Sequence, residues 1–194
     1  MKKFLAILLV LVMVLSFVAC GGDDAETDGD AAALKVGFIY IGPINDGGFT
    51  QAMYEGAVAS KEHFAGQMDF IYRENVPEDT QEVKSTALNM IDEGCNVIIA
   101  CSFGFGDAMN ELSAEYPDIT FLHFSGAMKN DTNFDNWFGS MEQARYLTGM
   151  AAASVTESNI LGYVAAHPYT EVQIGINAFT LGAQAVNPDV EVKG

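Results

Sequence analysis

Two short stretches hold most of the side chains that could do chemistry. The first, Gly42-Pro43-Ile44-Asn45-Asp46-Gly47-Gly48-Phe49, sets an amide, a carboxylate and a flat aromatic face among glycines that let a backbone come close to a bound molecule. The second, Ser102-Phe103-Gly104-Phe105-Gly106-Asp107, repeats the combination of aromatics, glycines and an acid. Its glycines lack the Gly-Lys-Ser or Gly-Lys-Thr that completes a phosphate loop. Such groups suit stacking and edge recognition of a small polar molecule. Each stretch also has a purely architectural reading, with Asp46 and Asp107 as helix caps and Phe49 in the core, and spacing alone leaves both open. Catalysis fits poorly. The chain has no G-x-S-x-G elbow, and Cys101, just before the second stretch, has no histidine identifiable as its base. His63 and His123 stand apart from acids or cysteines at metal-binding intervals, so solvent contact and core packing are expected of them, with no metal or cofactor.

Both stretches follow apolar runs, and the pattern around them predicts how they are positioned. Strands are expected at 35–41, 68–72, 96–101 and 120–124, with amphipathic helices at 49–64, 78–93 and 107–115. Continuous apolar strands separated by helices imply a doubly wound α/β lobe whose parallel sheet is covered on both faces. Ligands of such sheets gather beyond the carboxyl ends of the strands, where 42–49, 102–107, 125–135 and 166–171 fall. Pro77, Glu78 and Asp79 read as a helix start with acids in its first turn, and Gly94 as its stop. Met53, Met90, Met109 and Met150 fall inside helices and suit core filling. Later come a helix at 141–154, whose Ala151-Ala152-Ala153 run suits close packing, a strand at 160–165, a helix at 171–185 and a strand start at Val190. One strand and one helix after Ser158 are too little to close a second sheet. The expectation is a complete first lobe at 34–125, a crossing segment and helix at 126–158, and the start of an incomplete second lobe at 159–194.

The N-terminus reads as an export signal. Lys2 and Lys3 precede an apolar run, and Phe17-Val18-Ala19-Cys20 resembles a lipobox with phenylalanine in place of the usual leucine. Residues 1–19 are therefore expected to be a signal peptide and Cys20 the lipidated N-terminus at the extracytoplasmic face of the cell membrane. Residues 20–33 place Asp23, Asp24, Glu26, Asp28 and Asp30 among Gly and Ala, an acidic tether with nothing to bury. The chain carries 26 acidic against 9 basic residues, a formal charge of −17, which repels phosphate backbones and argues against nucleic-acid binding. Cys95 and Cys101 fall on one expected strand, about 20 Å apart at ~3.3 Å per residue, too far for a disulfide and best read as buried free thiols.

Four motifs, in order across almost all of 34–194, carry a family resemblance. They are KVGFIYIGPINDGGFTQAMYEGA, SFGFGDAMNELSAEYPDITFLHFSG, the stretch Trp137-Phe138-Gly139 with Glu142-x-x-Arg145-Tyr146-Leu147-x-Gly149, and Ile160-Leu161-Gly162-Tyr163-Val164 through Ile176-Asn177-Ala178-Phe179. Together they resemble the basic membrane protein family, lipoprotein receptors of ABC importers for purine nucleosides or related purines. The resemblance implies two α/β lobes of the periplasmic-binding-protein type I kind, joined by crossing strands, a ligand in the cleft between them, and ABC permease subunits as partners. It places ligand-binding roles on Asn45, Asp46 and Phe49 and on Ser102, Phe103 and Asp107. Trp137 is a further candidate platform, with core packing as its alternative. The second-lobe segment has His167 where the family usually has an aromatic, which puts one stacking wall in question. Stacking aromatics with Asn and Asp edges suit a purine nucleoside or nucleobase. A sugar or autoinducer receptor would use Arg forks, and Arg73 and Arg145 both lie outside the strand-end loops. A sensor serving a membrane kinase is a third reading of the same architecture.

Overall fold

The structure, a computed structural model, describes residues 33–194; the expected leader, Cys20 and nearly all of the tether lie outside the described residues. The chain is α/β. Its first part alternates β1 (Leu34–Tyr40), α1 (Phe49–His63), β2 (Met68–Arg73), α2 (Thr80–Asp92), β3 (Val97–Cys101), a single 3₁₀ turn (Phe103–Phe105), α3 (Gly106–Glu115), β4 (Thr120–Phe124) and β5 (Phe134–Trp137). These strands form one parallel five-stranded sheet in the order β2-β1-β3-β4-β5.

The period of two along β1 explains the two cores. Val36, Phe38 and Tyr40 point to one face, where they meet Ala57 of α1, Cys101 and Phe124. Ile39 points to the other, among Val83, Ala87 and Met90 of α2, Met109 and Leu112 of α3, and Ile98 and Phe121. The thiols of Cys95 and Cys101 are free and buried, as their separation along the chain requires. Burial pushes the Cys101 thiol up to about 12.

Strand β5 has no counterpart in the sequence reading. It follows β4 in parallel across residues 125–133 with no helix in between. Side chains hold the return that a helix usually makes. Asn130 Oδ1 accepts the amides of Thr132, Asn133 and Phe134 at 2.9 Å each, and Asn133 Nδ2 donates to the carbonyls of Ser113, Tyr116 and Ile119. A polar loop reads as irregular because this pattern has no apolar period.

The second part comprises α4 (Met141–Val155), β6 (Ile160–Gly162), α5 (Thr170–Val186) and β7 (Glu191–Lys193). The expected strand at 160–165 stops at Gly162, and β6 pairs in parallel with β7 alone. Helices α4 and α5 meet backbone to backbone. A Cβ at Gly149 would stand 2.0 Å from the Phe179 carbonyl oxygen, and one at Gly182 would stand 2.0 Å from that of Tyr146. Of the alanine run, Ala153 reaches this contact, beside Ala183.

Candidate functional site

The site is built from the loops that leave β1, β3 and β4, facing the start of α5. After β1 the chain turns at 42–48 into α1. The Asp46 carboxylate accepts the amides of Gly48 at 2.8 Å and of Thr50 and Gln51 at 3.0 Å. Hydrogen bonds from the Gln51 and Gly48 amides hold this carboxyl below the usual aspartate range. Asp46 thus satisfies first-turn amides of α1 from two residues before its N-cap, Gly48. Phe49 stands next to it, exposed, with its ring centroid 5.5 Å from that of Phe124.

After β3 the loop is held from a distance. Asp79, not Glu78, caps α2, accepting the amides of Gln81 and Glu82 at 3.0 Å. Glu78 instead turns toward the sheet, where its Oε1 accepts Ser102 Oγ–H and the Gly104 amide. A Cβ at Gly104 would lie 2.6 Å from Glu78 Cδ and would push the clamping side chain aside. This clamp presents Phe103 outward, 39% exposed. Phe103 then stacks on Tyr169, with centroids 3.8 Å apart and planes 14° from parallel.

The facing wall comes from 163–175. Glu171, in the first turn of α5, accepts Ser125 Oγ–H at the end of β4. Burial works against its charge, yet hydrogen bonds from Ser125, its own amide and the Gly126 amide hold the carboxyl below its usual range. Ser125 and Gly126 both adopt left-handed backbone, φ 97° and 72°, which is strained for the serine. Two cavities meet at Phe138 and Glu171, which line both. One, of about 620 Å³, runs along Phe103, Asp107, His123, Met128 and Tyr169. The other, of about 540 Å³, is walled by Phe49, Phe124, Met141, Arg145 and Tyr163.

Of the residues singled out in the sequence, Phe49, Phe103 and Asp107 line these two cavities, and Asn45, Asp46, Ser102, Trp137 and His167 line neither. Asn45 is exposed on the turn; Asp46 and Ser102 are engaged in the bonds just described. Trp137 sets its ring edge against Phe124, centroids 5.4 Å apart. His167 stacks behind Tyr169 at 5.2 Å. The strand-end segment 166–171 carries His167 near its start. Two positions further on, Tyr169 lines the first cavity, and Glu171 lines both. Arg145 lies outside the strand-end loops, as expected, yet reaches a cavity from the first turns of α4, its guanidinium 5.9 Å from the Tyr163 ring centroid. Glu78 carried no signal at all, because its partners lie 24 and 26 residues away. No group of three His, Cys, Asp or Glu among the described residues converges on a metal site, and none of their helices is long and apolar enough to cross a membrane.

Known proteins share both sequence and shape with this chain. A purine-binding protein of Brucella abortus is 34% identical over 185 residues, which is 95% of this chain and 51% of that protein. A putative ABC transporter glucose-binding protein, TsgA13 of Haloferax volcanii, is 35% identical over 178 residues, 89% of this chain and 44% of that protein. The chain thus spans about half the length of the curated relatives it matches. An ABC transporter solute-binding protein from Aeropyrum pernix superposes with a TM-score of 0.68 at 17% identity over 82% of this chain and 46% of that one, a likeness of fold, which is the type I periplasmic-binding-protein kind. The family model for PnrA-like ABC transporter substrate-binding proteins matches residues 33–194 throughout. The chain belongs to the Bmp family of ABC transporter substrate-binding proteins.

Proposed function

We propose that the protein is an extracytoplasmic receptor that binds a purine nucleobase or nucleoside in the cleft between the five-stranded sheet and α5, and delivers it to ABC permease subunits. The observation that carries this reading is the Phe103–Tyr169 stack. Two flat rings from opposite sides of the cleft lie face to face, the arrangement that accepts a planar heterocycle when the rings part by one more ring thickness. The relative named as purine-binding supports it. Phe49, Phe103 and Asp107 are the proposed contacts from the sheet side and Tyr169 and Glu171 those from α5, while Asp46, Ser102 and Glu78 hold the loops in place. In this reading residues 1–19 direct export, and lipid on Cys20 anchors the receptor outside the cell.

A sugar ligand is the second reading. It is favoured by Arg145, a fork donor that lines the same cavity as Glu171 and stands over the Tyr163 ring, and by the relative named as glucose-binding. A thermal-shift screen of the full protein against nucleobases, nucleosides and sugars separates the two. A ligand at 100 times its Kd stabilises the native state by about 2.7 kcal/mol. Purines should raise Tm and sugars should leave it unchanged; a shift with sugars alone would replace the purine reading.

A further inference from the structure

His123 is fully buried and lines the 620 Å³ cavity, and one of its ring nitrogens is idle. Its Nε2 lies 2.7 Å from the Ser102 carbonyl oxygen. A carbonyl only accepts, so Nε2 carries the proton, and in the neutral ring Nδ1 is then left with a lone pair. Nδ1 has no hydrogen-bond partner although it is shut off from water. Buried polar atoms are nearly always paired, so an orphan at a cavity wall calls for a partner.

The surroundings are shaped around this edge of the ring. Gly106 and Gly126 flank it: a Cβ at Gly106 would stand 2.8 Å from His123 Cε1 and 3.1 Å from Nδ1, and one at Gly126 would stand 3.2 Å and 3.4 Å from the same atoms. The Met128 methyl converges on the same face of Gly106, 2.6 Å from that Cβ position. Met128 is an exposed, unbranched side chain on the 125–133 loop, able to swing aside.

We propose that His123 is a specificity-determining residue: when Met128 is displaced, Nδ1 accepts a hydrogen bond from an N–H on the heterocycle of the bound ligand. The inference rests on the purine reading above. Because Nδ1 is already stripped of water in the free protein, the bond forms without a further desolvation cost on the protein side, and a ligand lacking the N–H leaves it orphaned. The groups that face the imidazole are Asp107 from α3 and Glu171 from α5, both carboxylates, with neutral Asn136 beside it on β5. Burial nonetheless depresses its basicity, which keeps the ring neutral and accepting near pH 7.

The test is calorimetry on the full protein with adenine, adenosine and purine riboside, whose heterocycle has no N–H. Wild type should bind the better of the first two about 5- to 100-fold more tightly than purine riboside. His123→Gln keeps a donor for the Ser102 carbonyl but has no acceptor at the Nδ1 position, so the preference should vanish. His123→Asn, with an acceptor near Nδ1, should restore part of it. Wild-type affinity should be flat near neutral pH and fall in acid as the imidazole takes up a proton; the fall assigned to His123 is the part absent from His123→Gln. Tm without ligand confirms that each variant is folded. Purine binding with equal preference in wild type and His123→Gln overturns the role of His123 alone. Absence of any purine binding by wild type overturns the purine reading and this inference with it.

Discussion

The two parts of the molecule solve the burial problem in opposite ways. The five-stranded sheet is covered on both faces, and its core is made of large side chains such as Ile39, Met90, Phe105, Phe121 and Leu112, all with no exposed surface. The α4–α5 part buries little beyond Ala153, Ala183 and Val190, and leaves Leu147 and Leu181 more than half exposed and Val164 at 99%. It is held by close approach of two backbones at Gly149 and Gly182. A side-chain core resists change by volume and loses stability in proportion to what is removed, whereas a glycine contact fails when anything is added. The cleft lies where these two kinds of packing meet.

That contrast can be broken most forcefully at Phe121, which is fully buried under α2 and α3. Phe121→Ala should cost about 3–5 kcal/mol in denaturant unfolding, and the sheet should carry the loss; a change below ~1 kcal/mol would mean that the core is not where the stability resides. Gly149→Ala acts by addition. The helices must part to admit a methyl group, at about 1–3 kcal/mol, with faster amide exchange confined to α4, α5, β6 and β7. Equal loss of protection in β1 and β3 would show that the two parts unfold as one unit.

Smaller effects probe the seam. Removing either ring of the Phe103–Tyr169 stack should lower stability, and a double-mutant cycle should return a coupling of about 0.5–1.5 kcal/mol. Zero coupling would mean that the rings are merely adjacent. The smallest expected effect is the acid limb of the stability curve. Asp46 and Glu171 both have carboxyls held below their usual ranges by hydrogen bonds. Their contribution is therefore present above the unfolded-state values and is lost as pH falls through the folded ones. Asp46→Asn and Glu171→Gln should each lower Tm near neutral pH and flatten its decline in acid, Asp46→Asn by fraying α1 and Glu171→Gln by loosening the seam. An unchanged acid limb in both would remove these carboxylates from the account.

Elements with a clear period were legible from the residues: the expected helix at 49–64 is α1 less its last residue, and the expected strands at 96–101 and 120–124 are β3 and β4 to within a residue. Strand β5 was not, because Asn130 and Asn133 do by side-chain hydrogen bonding what a helical crossover does by apolar pattern. Of the residues lining the two cavities, Phe49, Phe103 and Asp107 stood out because aromatic, glycine and acid recur after a strand. Asp46 left two readings open, and the three backbone amides it accepts within five residues give its carboxylate an architectural part at the start of α1.

What the sequence determined by itself was local: which segments are strands, which end in loops able to bind, and which family pattern they follow. These depend on periodicity and on neighbours a few residues apart, and both are written along the chain. The tertiary structure alone decided which of those side chains meet. Glu78 clamps a loop 24 residues on, Ser125 meets Glu171 across 46 residues, Tyr169 stacks between Phe103 and His167, and His123 ends with one nitrogen bonded and the other bare. Such pairings arise when the sheet and two close-packed helices bring distant segments to within hydrogen-bond distance, and no spacing in the sequence encodes them.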